Sequence, residues 1–376
     1  MGKHALLAAS ASERWIRCPP SARLTADMED TPSPFAQQGT DAHTLCEYLV
    51  RVALGQKARD PTEDLVWYDS EMQEAAEGYA AFVLTAFEKA RAHCHDPTIL
   101  LEQRVDFSRW VPEGFGTADC LIIANGTLEI IDFKYGLGVL VSAKGSDGRG
   151  NSQLKCYALG ALDTFGDLYE IRKVRLSIYQ PRRENISEFE MTIADLLQWA
   201  EDTLRPRAQL AWEGKGEFEA GDHCVFCKMK ATCRKRAEKA MELAKYEFAD
   251  PPTLSDGEIA RILEEIDPLV HWAEDIRAYA LKQALSGTIY PGWKIVEGKS
   301  NRRITDEARA AKLIQDAGFD PYEKKLLGMT ALTKLLGKKR FEELLSALIE
   351  KPQGKPTLEP ESDKRPAMNN PKNDFD

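Results

Sequence analysis

The chain has 376 residues, 43% of them hydrophobic and 29% charged, with a formal net charge of −10. Such a length accommodates a full core and more than one folded unit, and the composition is that of a soluble globular protein. No apolar run approaches the roughly 18 residues that a membrane span needs, and the acidic balance argues against a surface that is basic overall, although nucleic-acid binding needs only a local basic face.

The first residues, MGKHALLAASASERW, lack the layout of a secretory signal, so a cytoplasmic location is expected. Eight cysteines in a cytosolic chain of this length do not suggest a disulfide framework. In SERWIRCPPSARL, Trp15, Ile16 and Cys18 precede a Pro-Pro pair that stops local helix. After a Pro-containing turn the chain becomes helical, with Leu45, Leu49, Val52 and Ala53 as the apolar stripe and His43 and Glu47 one turn apart on a common face. A second helix is expected at about 71–92, with Ser70 and Gln73 as its capping box and Ala75, Tyr79, Phe82, Val83 and Phe87 facing inward.

The sheet begins near Thr98. Alternation places Ile99, Leu101, Gln103 and Val105 on one side and Leu100, Glu102, Arg104 and Asp106 on the other. Strands at 118–124 and 127–133 flank Asn125-Gly126, a strong signal for a tight I′ hairpin. A small-residue loop at 136–150 reads as mobile and close to whatever the site binds. A helix at 151–163, strands at 174–180 and 187–191 and a helix at 193–212 follow. The order implies an α/β fold, a mixed central sheet flanked by helices. Further on come a cysteine-rich basic segment, a long helix at 256–285 capped by Ser255 and Glu258 and carrying Pro268 as a possible kink, and helices near 305–317, 330–336 and 338–349. Its stripe is Ile259, Ile262, Leu263, Ile266, Leu269 and Ile276. The chain thus divides into 1–245, a helical connection at 246–290, a small helical module at 291–350 and a tail at 351–376 expected to be disordered.

Chemistry concentrates between Gly116 and Tyr157. Asp132 and Lys134 leave an apolar strand on the same side, and Asp119 stands across the hairpin. The bland alternative is a strand-end salt bridge. The chemical one is a site for a hard divalent cation beside a phosphate: carboxylates bind Mg²⁺ or Mn²⁺, and a lysine orients water and stabilises developing charge.

The series Gly116-Thr-x-Asp119, hairpin, Ile131-Asp132-Phe133-Lys134, then Gln153-x-x-x-Tyr157 resembles the PD-(D/E)XK nuclease superfamily, and Gly39-x-x-x-His43 resembles the upstream helix of its RecB-like and CRISPR-adaptation-exonuclease-like branch. The resemblance spans about residues 10–240 and implies a restriction-endonuclease-like sheet. It also implies His43, Asp119 and Asp132 as metal ligands, Lys134 as catalytic lysine, and Gln153 and Tyr157 as groups positioning DNA and lysine. Glu102 is either a further acid of the metal site or a solvated strand residue, and Glu47 either supports His43 or forms a plain surface pair.

Cys224-x2-Cys227-x5-Cys233 would make a metal or cluster site lacking a fourth ligand, for which His223, Cys18, Cys46, Cys94, Cys120 and Cys156 are available. Iron–sulfur members of the same nuclease branch carry one cysteine before the core and three after it. That resemblance implies a [4Fe–4S] cluster on Cys18, Cys224, Cys227 and Cys233, stapling the start of the chain to the end of the nuclease domain; a structural Zn²⁺ on the same residues is the rival. Lys228, Lys230, Arg234 and Lys235 beside the cysteines, and Arg182 and Arg183 after the fourth strand, are candidate DNA phosphate contacts, each weighed against a solvated face.

The whole chain also resembles a phage and prophage domain family of unknown function. Together these resemblances imply a metal-dependent DNA exonuclease of phage replication or recombination, acting in a bacterial host cell. Phage single-strand-binding or replication proteins would be its partners. The alternatives are a catalytically inactive DNA-binding or assembly protein of the same fold, and a zinc-stapled protein-interaction module.

Overall fold

The computed structural model describes residues 5–28, 34–244, 254–297, 304–322 and 326–349; the tail expected at 351–376 lies outside them. Two compact units divide the chain, Met1–Ile295 and Val296–Asp376. The first contains α1 (Ser12–Arg17), α2 (Pro20–Leu24), α3 (Pro34–Ala53), α4 (Ser70–His93), β1 (Thr98–Asp106), β2 (Phe115–Ala124), β3 (Thr127–Phe133), α5 (Ser152–Phe165), β4 (Lys173–Gln180), β5 (Asn185–Thr192), α6 (Ile193–Trp199), α7 (Arg205–Glu213), α8 (Arg234–Ala244) and α9 (Asp256–Leu285). The second contains α10 (Glu307–Asp316), α11 (Met329–Leu336) and α12 (Lys338–Leu345), and buries Ala311 and Phe341.

The five strands lie in sequence order, antiparallel except for the parallel pair β3–β4, which α5 connects. Helices cover both faces of this α/β mixed sheet, as the long apolar runs of its inner strands require. On one face, Leu128, Ile130, Leu176 and Ile178 pack with Leu154 and Leu159 of α5 and with Trp15 from the start of the chain. On the other, Ile122, Ile131 and Phe133 pack with Leu45 and Val50 of α3 and with Met72 and Val83 of α4. Asn125 and Gly126 both adopt positive φ (47° and 72°), as the I′ hairpin requires.

Several local expectations change. The cap of α4 is Asp69, whose carboxylate accepts from the Met72 N–H at 2.7 Å, rather than Ser70. An acid one residue earlier satisfies the same orphan donor. The Pro-Pro pair ends one helix and begins another: α1 stops at Arg17 and Pro20 opens α2, where a missing N–H costs nothing. Strand β2 begins at Phe115, so Asp119 lies inside it. The helix expected at 193–212 is α6 and α7 joined by a π turn at Ala200–Leu204. Helix α9 runs through Pro268 and has no buried residue; Leu263 of its apolar stripe is 47% exposed.

The largest departure is in β1. Glu102 adopts φ 48° in mid-strand, between the pairs Leu101↔Cys120 and Gln103↔Ala118. A left-handed residue rotates the strand and breaks its period of two. Ile99 and Leu101 therefore face α3 and α4, whereas Val105 enters the α5 core, so the expected common face of Ile99, Leu101, Gln103 and Val105 is divided. Across the ladder the same break separates Ala118, in the α5 core, from Cys120, in the α3–α4 core. Glu102 and Asp119 occupy the break. Strain of about 1–3 kcal/mol at such a residue persists only where its surroundings fix it.

Candidate metal centre and cysteine cavity

Helix α3 lies over this break and brings His43 to it. The His43 Nδ1 is 3.4 Å from Asp119 Oδ1, and the imidazole meets the Phe133 ring edge-on at 5.3 Å between centroids. Asp119 Oδ2 accepts the Phe133 N–H at 2.7 Å, which fixes the carboxylate across the hairpin. Ligand atoms of His43, Glu102 and Asp119 all lie within 4.8 Å of one another. Glu47 also lines this pocket, but its carboxylate is engaged by Arg51 at 2.7 Å.

Asp132 occupies the adjoining position, at the end of β3 and on the α5 side. Its Oδ1 accepts from Gln153 Nε2 at 3.3 Å, and Lys134 Nζ stands 2.9 Å from Oδ2. The latter contact is a charge-assisted pair between ammonium and carboxylate. Lys134 Nζ also donates to Gln153 Oε1 at 3.2 Å, and Gln153 Nε2 to the Tyr157 hydroxyl at 3.0 Å. Gln153 holds both charged groups because Asn151 caps α5, accepting from the Gln153 and Leu154 N–H groups and starting the helix at that point. Gly116 makes room for this arrangement: a Cβ there would stand 2.7 Å from Tyr157 Cε1.

Thus His43, Glu102 and Asp119 form one group, and Asp132, Lys134, Gln153 and Tyr157 the next. Gly39 has open space within 4 Å of where a Cβ would stand, so packing does not explain it.

The electrostatics match a site organised for a cation. Burial disfavours the charged His43 ring, but Asp119 outweighs it and the imidazole pKa lies above its ordinary value. Burial alone would raise Asp119; His43 first, then Lys134 and the Phe133 N–H, hold it below the usual range. Asp132 is raised by burial despite Lys134 beside it. Burial works against the charge of Lys134, but Asp132 and then Asp119 keep its pKa above the ordinary value. Glu102 is pushed up to about 7 by burial and then by Asp119. Two carboxylates this close, with an imidazole whose ring nitrogen is free to donate once deprotonated, fit a hard divalent ion with oxygen and nitrogen donors.

Cys18, Cys224, Cys227 and Cys233 line one cavity, together with His223. Cys18 ends α1, and Arg17 beside it pairs with Glu219 at 2.7 Å, joining the start of the chain to the segment before Cys224. Lys228 Nζ donates to the Met28 carbonyl at 2.7 Å, a second such tie. Burial raises the thiol pKa values of Cys224 and Cys227. His223 Nε2 donates to the Glu219 carbonyl, 3.0 Å away, and its buried Nδ1 has no partner among the described residues. Cys46, Cys120 and Cys156 are instead buried in the two sheet cores. Soft thiols gathered round one cavity fit a soft metal or a cluster.

The candidate phosphate contacts are mostly engaged within the chain. Arg182 grips Glu71 at 2.9 and 3.3 Å and lies over the Tyr135 ring. Arg183 donates to the Leu137 carbonyl at 3.2 Å, Lys230 pairs with Asp275 at 2.9 Å, and Lys235 is 3.8 Å from Glu238. Arg234 is exposed.

Three supporting residues escaped the sequence reasoning. Asp41, two residues before His43 and 5% exposed, accepts from Gln37 and from the Trp67 N–H at 2.9 Å each, fastening the chain after α3. Gln180 and Asn185, both buried, hold the backbone of the loop after Lys134. For Gln180 and Asn185 a polar residue at a strand end was the available signal, and it does not distinguish them from solvated ones.

No helix among the described residues is long and apolar enough to cross a membrane. Among solved structures, one titled "Crystal structure of SSO0001" is similar at 15% identity over 53% of this chain and 98% of that one, with a TM-score of 0.22, too loose a superposition to bear on fold or function. Residues 4–366 match the model of a family described as "Protein of unknown function (DUF2800)". With that match running over nearly the whole length, the chain belongs to the DUF2800 family.

Proposed function

We propose that this protein is a divalent-metal-dependent DNA nuclease of the PD-(D/E)XK type, acting as an exonuclease in phage replication or recombination. The observation that carries the reading is the juxtaposition of His43, Glu102 and Asp119 with Asp132, Lys134 and Gln153, linked through the Phe133 N–H. His43, Glu102 and Asp119 would hold Mg²⁺ or Mn²⁺, with Asp132, paired with Lys134 through Oδ2, as the further carboxylate. Such an ion supplies charge neutralisation on a phosphate and lowers the pKa of water near it. Lys134, kept protonated by Asp132, offers an ammonium to phosphate oxygens, and Gln153 fixes its direction. DNA is the partner expected, and phage replication or single-strand-binding proteins would meet it in that setting.

The four cysteines would hold a [4Fe–4S] cluster. A structural Zn²⁺ on the same four residues is the alternative, and metal and sulfide analysis of the purified protein separates the two. Anaerobic purification should give a brown protein absorbing near ~400 nm.

The deciding experiment is digestion of end-labelled single- and double-stranded DNA by anaerobically purified protein with Mn²⁺ or Mg²⁺. Metal-dependent cleavage that Asp132→Ala and Lys134→Ala both abolish is expected. Undiminished cleavage in both variants overturns the site assignment, and binding without cleavage by the wild type identifies an inactive DNA-binding protein of the same fold.

A further inference from the structure

One wall of the metal centre is not explained by its carboxylates. Between α3, α4 and the sheet, a cavity of about 10 Å³ is lined by His43, Glu102 and Asp119 and, on its inner side, by Cys46 and Tyr79. That inner side is shut off from solvent: Tyr79 and Cys46 are each 2% exposed, and Phe133 beside them is fully buried.

Tyr79 comes from the middle of α4. Its ring packs on Phe133 at 5.1 Å and meets Tyr179 edge-on at 5.9 Å between centroids. Packing accounts for the ring but not for the hydroxyl, which is buried and has no hydrogen-bond partner among the described residues. A phenylalanine would fill the same place at no such cost, because a buried hydroxyl left unpaired gives up its bonds to water and gains none. Burial first, then the fields of Cys120, Asp119 and Cys46, hold the phenol pKa well above its ordinary value. The group therefore stays a donor, and those neighbours put the polar end of the ring on the acid side of the cavity.

The acceptor it needs is not a protein atom. Asp119 receives the Phe133 N–H at Oδ2 and faces His43 through Oδ1, Glu47 is held by Arg51 at 2.7 Å, and neither Glu102 nor the Cys46 thiol reaches the hydroxyl. The cavity has roughly the volume that one water requires, and a water inside a protein needs about two to four polar partners. The Tyr79 hydroxyl and the carboxylates of Glu102 and Asp119 supply them. An octahedral ion held by three protein donors also leaves about half of its positions to solvent or substrate.

We propose that Tyr79 is a positioning residue of the metal centre, its hydroxyl donating to a water lodged in this cavity that is also a ligand of a divalent ion on His43, Glu102 and Asp119. This water is on the α4 side, whereas Asp132 and Lys134, where a phosphate would arrive, are on the α5 side. It therefore holds the ion and does not attack. The inference rests on the metal-site part of the nuclease reading and goes beyond it in giving the ion a solvent ligand held by the protein.

The test titrates the full chain, purified anaerobically, with Mn²⁺ and follows free Mn²⁺ by electron paramagnetic resonance. Tyr79→Phe keeps the ring and removes only the hydroxyl. It should bind Mn²⁺ about tenfold more weakly than wild type, the scale on which groups behind the metal ligands act. At saturating Mn²⁺ it should cut DNA within about twofold of wild type, the pattern of a residue that acts on the ion's binding and not on the reaction. Without metal it should melt close to wild type, since the packing on Phe133 is retained. Cys46→Ala, which widens the same cavity and removes no hydroxyl, should bind Mn²⁺ within about twofold of wild type. Undiminished binding by Tyr79→Phe overturns the proposal and leaves the metal centre standing. Equal weakening in Cys46→Ala overturns it too, making the effect one of packing, as does a saturated rate that falls as far as the affinity. If the wild type binds no Mn²⁺, the metal centre and the proposal fail together. If it binds Mn²⁺ and cuts nothing, the nuclease reading fails, and a tenfold loss of affinity in Tyr79→Phe still supports the role of Tyr79.

Discussion

The two chemical centres of this chain are assembled in opposite ways. The carboxylate–lysine site is built by one sheet and the two helices on either side of it: Asp119 and Asp132 are on paired strands, and their positions follow from the register of a hairpin. The cysteine cavity joins Cys18 to a segment some 200 residues later, through irregular turns and a few side-chain ties such as Arg17–Glu219 and Lys228–Met28. On the proposed reading the first would keep its scaffold without an ion, while the second would depend on a group that holds the thiols together. If the proposed nuclease reading holds, the carboxylate–lysine site governs rate and the cysteine site stability.

Substitution at the first centre gives the largest effect. Asp132→Ala and Lys134→Ala should each reduce DNA cleavage by a factor on the order of 10²–10³ or more, the scale of removing one preorganised charged or donor group. Removing Asp132 relieves the burial cost of that carboxylate but leaves the Lys134 ammonium without its partner, so the thermal midpoint should fall while the fold persists. A parallel loss of folding in both variants, seen by circular dichroism, would break the comparison. Cys18→Ser is the mirror experiment. It should strip the visible chromophore and lower the melting temperature by ten degrees or more, because metal-binding energy is folding energy. Limited proteolysis should then cut first within residues 5–28. Full stability in that variant would make the cavity a set of buried thiols.

How much of this was legible follows from the same contrast. The I′ hairpin, the helices and the same-side placement of Asp132 and Lys134 could be read because turn chemistry and strand or helix period fix them locally, whereas Gln153 and Tyr157 entered through the resemblance to the nuclease superfamily. The partnership of Glu102 with Asp119 and His43 could not, because both acids sit where the strands lose their period of two, and a left-handed glutamate leaves no mark in the sequence. The role of Glu102 stayed evenly divided for that reason. Arg182 and Lys230 read as surface cations, yet partners distant in sequence, Glu71 and Asp275, claim them. The α9 stripe is legible as a pattern, but a pattern does not state what covers it, and within its own unit α9 has no buried residue.

Gly116 sharpens the comparison at an intermediate scale. It is one residue of the first centre whose requirement is steric. Gly116→Ala would place a methyl 2.7 Å from the Tyr157 ring, and the far side of that ring is buried. Overpacking of this kind costs about 1–3 kcal/mol. The displaced tyrosine should carry Gln153 with it, and misplacement by about 1 Å is enough to slow a reaction on the order of 10²-fold. Tyr157→Phe, which removes the hydroxyl that accepts from Gln153 but leaves the ring, should be milder in both measurements. If Gly116→Ala retains full activity, Tyr157 does not position Gln153.

The smallest effect expected is a pH dependence from a residue close to the first centre that takes no part in it. Lys155 is 2% exposed; its ammonium donates to the Arg149 carbonyl at 3.2 Å and lies 3.8 Å from the centroid of Trp199. Burial pulls its pKa down to about 8 from 10.5. The folded state thus binds this proton less tightly than the unfolded chain does. Its contribution to stability is fully present above the unfolded value of about 10.5 and is lost as the pH falls through about 8. At pH 7 the charged amine therefore opposes folding, and Lys155→Met, similar in length and without charge, should melt higher there. The gain should be on the order of 1–3 kcal/mol, since the lost carbonyl contact offsets part of it. Between pH 8 and pH 10 wild type should gain on the variant. Melting curves that stay parallel over that interval would show that the Trp199 face and the Arg149 carbonyl compensate the charge in full, and that this lysine belongs to the scaffold of α5 without titrating.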